Sequence, residues 1–145
     1  MDEFEKTVAI RHPQRRHELL WYLFELASPS EQHERWILQK SRSPGQMEGF
    51  DFVVHFFFDD TDLGEHTDNE LGYILIDELE VSAVGQVSKA LNTVLKAVVG
   101  NQPDAVYLAR AEWQRVIAAA IKAYRLIRPR LKAEGDTILP PELAP

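Results

Sequence analysis

Residues 50–58 read FDFVVHFFF, and how this run folds decides the class of the whole chain. Wound as a helix, Phe50, Val53, Val54, Phe57 and Phe58 share one face. Laid out as a strand, Phe52, Val54, Phe56 and Phe58 share one instead. A run this short does not separate the two by periodicity alone. Its surroundings favour the helix, because the neighbouring apolar patterns are helical and no second strand stands ready to pair with it. The expected fold is therefore all-α: a single-domain helical bundle of about five helices over residues 1–132, with 133–145 an extended or disordered tail. An α+β chain with one short strand at 51–58 is the alternative.

Working outward, Pro13 and QRRHELLWYLFELA predict a first helix, with proline suited to its first turn and Leu19, Leu20, Leu23, Phe24 and Leu26 on an apolar stripe. Ser28-Pro29-Ser30 ends it. Ser30 reads as the N-cap of a short helix, EQHERWIL, and residues 41–49 read as a loop. Further on, Thr67-Asp68-Asn69-Glu70 has the spacing of a capping box and predicts the start of a long helix at Leu71. That helix runs towards Val98, with Gly85 marking a kink or break. Gly100 and Pro103 stop it. Asp104 reads as the cap of a short helix. A last helix from about Glu112 to Arg128 points Trp113, Val116, Ile117, Ala120, Ile121, Tyr124 and Ile127 inward.

Charge is distributed very unevenly. Of the 23 acids, eleven lie in residues 43–88, and all 16 Lys and Arg lie outside that segment. Nucleic acid is excluded as a partner of this segment, since binding it rests on neutralising phosphates with Lys and Arg. A basic protein is attracted. With 45% apolar and 27% charged residues the composition is that of a globular domain. No apolar run approaches the roughly 20 residues of a membrane span. MDEFEKTVAI has no features of a secretion signal, and the chain has no cysteine, so the expected location is cytoplasmic.

The acidic stretch HFFFDDTDLGEHTDNE, residues 55–70, invites a chemical reading. As a calcium loop starting at Asp60 it fails, because position 5 is Gly64 and the required glycine position holds Glu65. His55 and Asp59 share a helix face, yet no HExxH or ExxH pattern accompanies them. Neither a GxSxG turn nor a phosphate-binding glycine loop is present. No metal or other cofactor is expected, and no catalytic residue is assigned. His55, between valine and phenylalanine, reads as a packed core histidine. What remains is a docking face: Asp59, Asp60, Asp62, Glu65 and Asp68 are the candidate protein-binding residues.

VVHFFFDDTDL at 53–63, LGYILIDELEVSAV at 71–84 and KALNTVLKAV at 89–98 resemble a family of small uncharacterised bacterial proteins. Its recurring string is V-V-H-F-x-F-D-D-T-x-L, followed by G-x-x-L-x-D-x-x-E. The matching positions are His55, Asp59, Asp60, Thr61, Gly72, Asp77 and Glu80, and the likeness spans about residues 14–125. Where the family often has Asp-Pro before the helix, this chain has Thr-Asp-Asn. The resemblance implies a shared fold, no defined reaction, and a loose association with immunity-type partners of bacterial toxins. His55, Asp77 and Glu80 are the candidate buried or polar-seam residues.

The expected function is that of a non-enzymatic acidic protein that binds a basic protein, an immunity or antitoxin factor. A self-associating structural or regulatory domain is the alternative, with a homo-oligomer as its consequence. A metal-dependent enzyme ranks third.

Overall fold

The computed structural model describes residues 10–40, 48–131 and 138–143. Six α-helices order these residues, and no strand occurs among them. We number the helices α1 (Pro13–Ala27), α2 (Pro29–Glu31), α3 (Phe50–His55), α4 (Glu78–Ala97), α5 (Asp104–Leu108) and α6 (Trp113–Ile127). α2 and α3 each run on into a π-helical turn, Gln32–Ile37 and Phe56–Asp60 respectively. α6 is central and packs against both α1 and α4.

FDFVVHFFF is helical, as its surroundings predict. Phe50 and Val53 are buried while Phe52 is 42% exposed, the opposite of what the strand pattern requires. The π turn that follows lets consecutive residues Phe56 and Phe57 both face the core. Its carbonyls are not left bare: Thr61 Oγ1 donates to Phe56 O at 2.8 Å and to Phe57 O at 3.3 Å. Phe50 then joins Trp36, Tyr107 and Trp113 in an aromatic cluster, with ring centroids 4.5–6.2 Å apart.

A polar knot closes the end of α1. Gln32 is 3% exposed and donates its amide to the carbonyls of Glu25 and Leu26, both at 3.0 Å. Its own oxygen accepts from Trp113 Nε1 at 3.0 Å, and Trp36 Nε1 donates to Glu25 Oε1 at 2.9 Å. One glutamine thus satisfies two end-of-helix carbonyls and one buried indole. The second helix itself begins at Pro29, with Ser28 at the cap position and no side-chain cap bond, so Ser30 is not the cap.

The largest correction concerns the long helix. It begins at Glu78, not Leu71, and its N-cap is Asp77, whose Oδ1 accepts from Glu80 N at 3.0 Å. The Thr67–Glu70 segment is an isolated 3₁₀ turn with no side-chain cap. Both of its cap-type side chains are engaged elsewhere: Thr67 Oγ1 donates to Leu63 O at 2.6 Å, and Glu70 Oε2 accepts from Asp62 N at 2.8 Å. Gly72 then takes φ +88°, a left-handed conformation that interrupts any helix through this point. Gly85 does not break α4, which runs continuously through it.

Beyond α6 the chain returns over the bundle. Residues 138–143 carry no regular secondary structure, and three of their carbonyls accept bonds from the helices. Trp21 Nε1 donates to Ile138 O at 3.2 Å, Arg128 Nε to Pro140 O at 2.8 Å, and Tyr124 Oη to Pro141 O at 2.5 Å. Burial pushes the Tyr124 pKa up to about 12, so it remains a donor at neutral pH. Residues 41–47 of the predicted loop and 133–137 and 144–145 of the tail lie outside the described residues.

Asp104 does not cap its own helix but ties α5 to the start of α3, accepting from Phe50 N at 3.2 Å. Burial raises its carboxyl pKa above 3.8; the Phe50 bond opposes the rise and the charge of Asp51 adds to it. A carboxyl raised on folding contributes stability that is present at low pH and is lost as pH rises through its folded value. Asp104→Asn keeps an acceptor for Phe50 N and removes the ionisation. The variant is expected to melt above the wild type at neutral pH, with the difference shrinking to nothing below the ordinary carboxylate range. Thermal melts across an acid-to-neutral pH series check this, and a constant offset at all pH values contradicts it.

Candidate functional site: an acidic loop hung on Leu63

The stretch after the π turn is a surface loop built around one buried plug. Leu63 is fully buried, and its carbonyl accepts from Thr67 Oγ1 and from Ser88 Oγ, the latter at 2.7 Å from α4. Leu63 N lies 3.2 Å from Thr61 Oγ1, and Gly64 N donates to Phe57 O at 2.8 Å. These bonds hold residues 61–68 against the end of α3 and the middle of α4. The five candidate acids are consequently displayed from a fixed frame, and Asp59, Asp60, Asp62, Glu65 and Asp68 are all exposed.

No lysine or arginine among the described residues pairs with any of the five. Asp59 and Asp60 meet His55 instead, with Asp59 Oδ2 at 2.6 Å from Nδ1 and Asp60 Oδ1 at 3.7 Å from Nε2. His55 is therefore not a core residue. Its side chain is 64% accessible, because position 55 points away from the face that carries Val53 and Phe57. Among the described residues, no group of three or more His, Asp or Glu is placed to hold a metal ion. Asp60 also faces α1: the Tyr22 hydroxyl has a pKa pushed to about 12, first by burial and then by the charges of Glu18, Glu25 and Asp60.

Asp77 and Glu80 behave differently from these five. Glu80 is fully buried and accepts from Arg16 Nη1 at 2.6 Å, Arg16 Nη2 at 2.9 Å, Arg130 Nη1 at 3.0 Å and Ile76 N at 3.0 Å. Asp77 Oδ2 takes a bond from Arg130 Nη1 at 3.0 Å. Burial works to lower the Arg130 pKa, but the bonds to Glu80 and Asp77 outweigh it and hold it above its ordinary value. These two acids and their arginines form a polar seam, and they are structural anchors. The acids at 59–68 are not.

Sequence reasoning did not identify Leu63 or Ser88, because nothing in a lone leucine between acids announces a plug. It also did not identify Arg16 and Arg130 as partners of Glu80; they stand 64 and 50 residues away.

A family model, the domain of unknown function DUF7945, matches residues 10–135. The chain belongs to the DUF7945 family. No curated protein and no solved structure matches it. The matched range contains the acidic loop, the Arg16–Glu80–Arg130 seam and all six helices of this DUF7945 domain. None of those helices is long and apolar enough to cross a membrane.

Gly64 is where the frame is tightest. A Cβ there would lie 2.4 Å from a Phe58 ring carbon and 2.8 Å from Phe57 O, a backbone atom that cannot swing aside. Gly64→Ala is expected to cost roughly 1–3 kcal/mol of stability, the range of a forced overpacking. Urea unfolding measures it, and an unchanged midpoint would mean that the loop is not clamped.

Proposed function

We propose that this DUF7945 domain is a binding module that receives a basic protein on the acidic surface at residues 59–68. One observation carries the reading: five exposed carboxylates stand on a clamped loop without a lysine or arginine to neutralise them. Had the cluster been a structural seam, its acids would be buried and paired as Glu80 is. Unpaired acids on a rigid frame raise the local negative potential and speed encounter with a cationic partner. Preorganisation adds to this, since little loop entropy is lost on docking.

The resemblance seen in the sequence extends the proposal to an immunity-type factor acting on a basic toxin in a bacterial cytoplasm. Asp59, Asp60, Asp62, Glu65 and Asp68 would face lysine and arginine of that toxin. His55, held by Asp59 and Asp60, sits at one end of the same surface.

The partner is to be recovered from native lysate on the tagged full chain and identified by mass spectrometry. With that partner, Asp60→Lys combined with Asp62→Lys is expected to lower the association rate constant by about tenfold at low salt and to flatten its salt dependence. An association rate that ignores both substitutions would refute the acidic-surface reading.

A further inference from the structure

Apart from Arg11, Lys96 and Arg125, the described cations divide into two groups. Arg15, Arg16, Arg35, Lys40, Arg110, Arg128 and Arg130 are all engaged in ion pairs. Lys89 on α4 and Arg115 and Lys122 on α6 form none among the described residues, and all three border a single groove between those helices. The groove has a volume of about 480 Å³ and a floor of small side chains, Ala90, Ala118 and Ala119. Arg115 and Lys122 are two helical turns apart, roughly 10 Å along α6. A compact anion needs donors converging within hydrogen-bond reach. Cations strung out at this spacing suit a chain segment that carries several acids.

Such a segment lies close by. Lys89 also borders a second hollow, shared with Phe58, Gly64, Glu65 and Thr67 of the acidic loop. An unpaired positive groove and an unpaired negative loop therefore adjoin on one side of the molecule, with Lys89 at their boundary. Adjacent patches of opposite sign on one surface are self-complementary about a two-fold axis, the commonest symmetry of soluble oligomers. Within one copy the two cannot neutralise each other fully, because the loop is clamped by Leu63 and the groove by the packing of α4 on α6.

We propose that the α4–α6 groove receives the acidic loop of a second copy of this chain, and that two such contacts related by a two-fold axis form a homodimer. In it Glu65 and Asp68 of each protomer lie against Lys89, Arg115 and Lys122 of the other. The small floor lets the loop backbone approach closely. The inference rests on the acidic loop being a docking surface, and it adds a second occupant of that surface, another copy of this chain. The dimer hides the surface until a basic competitor displaces one protomer.

The test is a charge exchange read by sedimentation velocity over a wide concentration range. The wild-type chain is expected to form a dimer whose dissociation constant rises steeply with salt. Arg115→Glu with Lys122→Glu, and separately Glu65→Lys with Asp68→Lys, each weaken the homodimer by roughly tenfold or more, because like charges then oppose. All four positions are exposed, so the folds should survive, and circular dichroism verifies that they do. Mixed together, the two variants recover a heterodimer, since each then offers the other an opposite charge at both contacts. A wild-type chain that stays monomeric, a dimer indifferent to the substitutions, or a mixture that fails to pair overturns the proposal. Any of these results leaves the basic-partner reading to its own association-rate measurement, so the two fail separately.

Discussion

The carboxylate of Glu80 is the point on which this structure depends. Moving a carboxylate out of water costs several kcal/mol, and only a full set of donors offsets that. Here four bonds reach it: a bidentate pair from Arg16 on α1, one from Arg130 beyond α6, and one from the Ile76 amide just before α4. Arg16 Nη1 further donates to Ile74 O at 2.8 Å, so the same guanidinium holds the turn that leads into α4. Two cations and two acids, Asp77 and Glu80, balance in charge. Three elements far apart in sequence are thereby fixed at one place, and the start of α4 has no other position open to it.

The electrostatic character of the acidic surface follows from that arrangement. Among the described residues, the arginines from outside the cation-free segment that pair with its acids are Arg16, on Glu80, and Arg130, on Asp77 and Glu80. The loop at 59–68 is shaped mainly by neutral contacts instead, with the Glu70 carboxylate on Asp62 N beside them: a leucine plug, two threonine hydroxyls, a serine hydroxyl and a glycine pressed against Phe58. Of its five acids, Asp59 and Asp60 meet the exposed His55, and none meets a lysine or arginine among the described residues.

How much of this could be read in advance depends on the range of the interaction. The helical reading of residues 50–58 rests on its helical surroundings and the lack of a partner strand, periodicity alone leaving it open, and it holds, although the π turn that buries both Phe56 and Phe57 has no periodic signature. Boundaries set by competition were misread. Thr67-Asp68-Asn69-Glu70 and Asp77-Glu78-Leu79-Glu80 both have cap spacing, and the tertiary bonds of Thr67 and Glu70, together with the left-handed Gly72, decide for the second. His55 looked apolar from its sequence neighbours, but helical geometry turns it outward to two acids. The exposure of the five acids was legible from their unpaired density alone. The cationic groove was not, because Lys89, Arg115 and Lys122 come together only when α4 packs on α6.

The most direct test of the account is a double-mutant cycle on the seam. Arg16→Met, Glu80→Leu and the double variant are unfolded in urea at neutral pH beside the wild type. Each single change strands a buried charge and should cost about 3–5 kcal/mol. The double variant strands less and should lose clearly less than the sum, with a coupling energy of about 2–3 kcal/mol. Strict additivity would contradict the account, since it would mean that Arg16 and Glu80 stabilise the fold independently and that the buried carboxylate is not its organising contact.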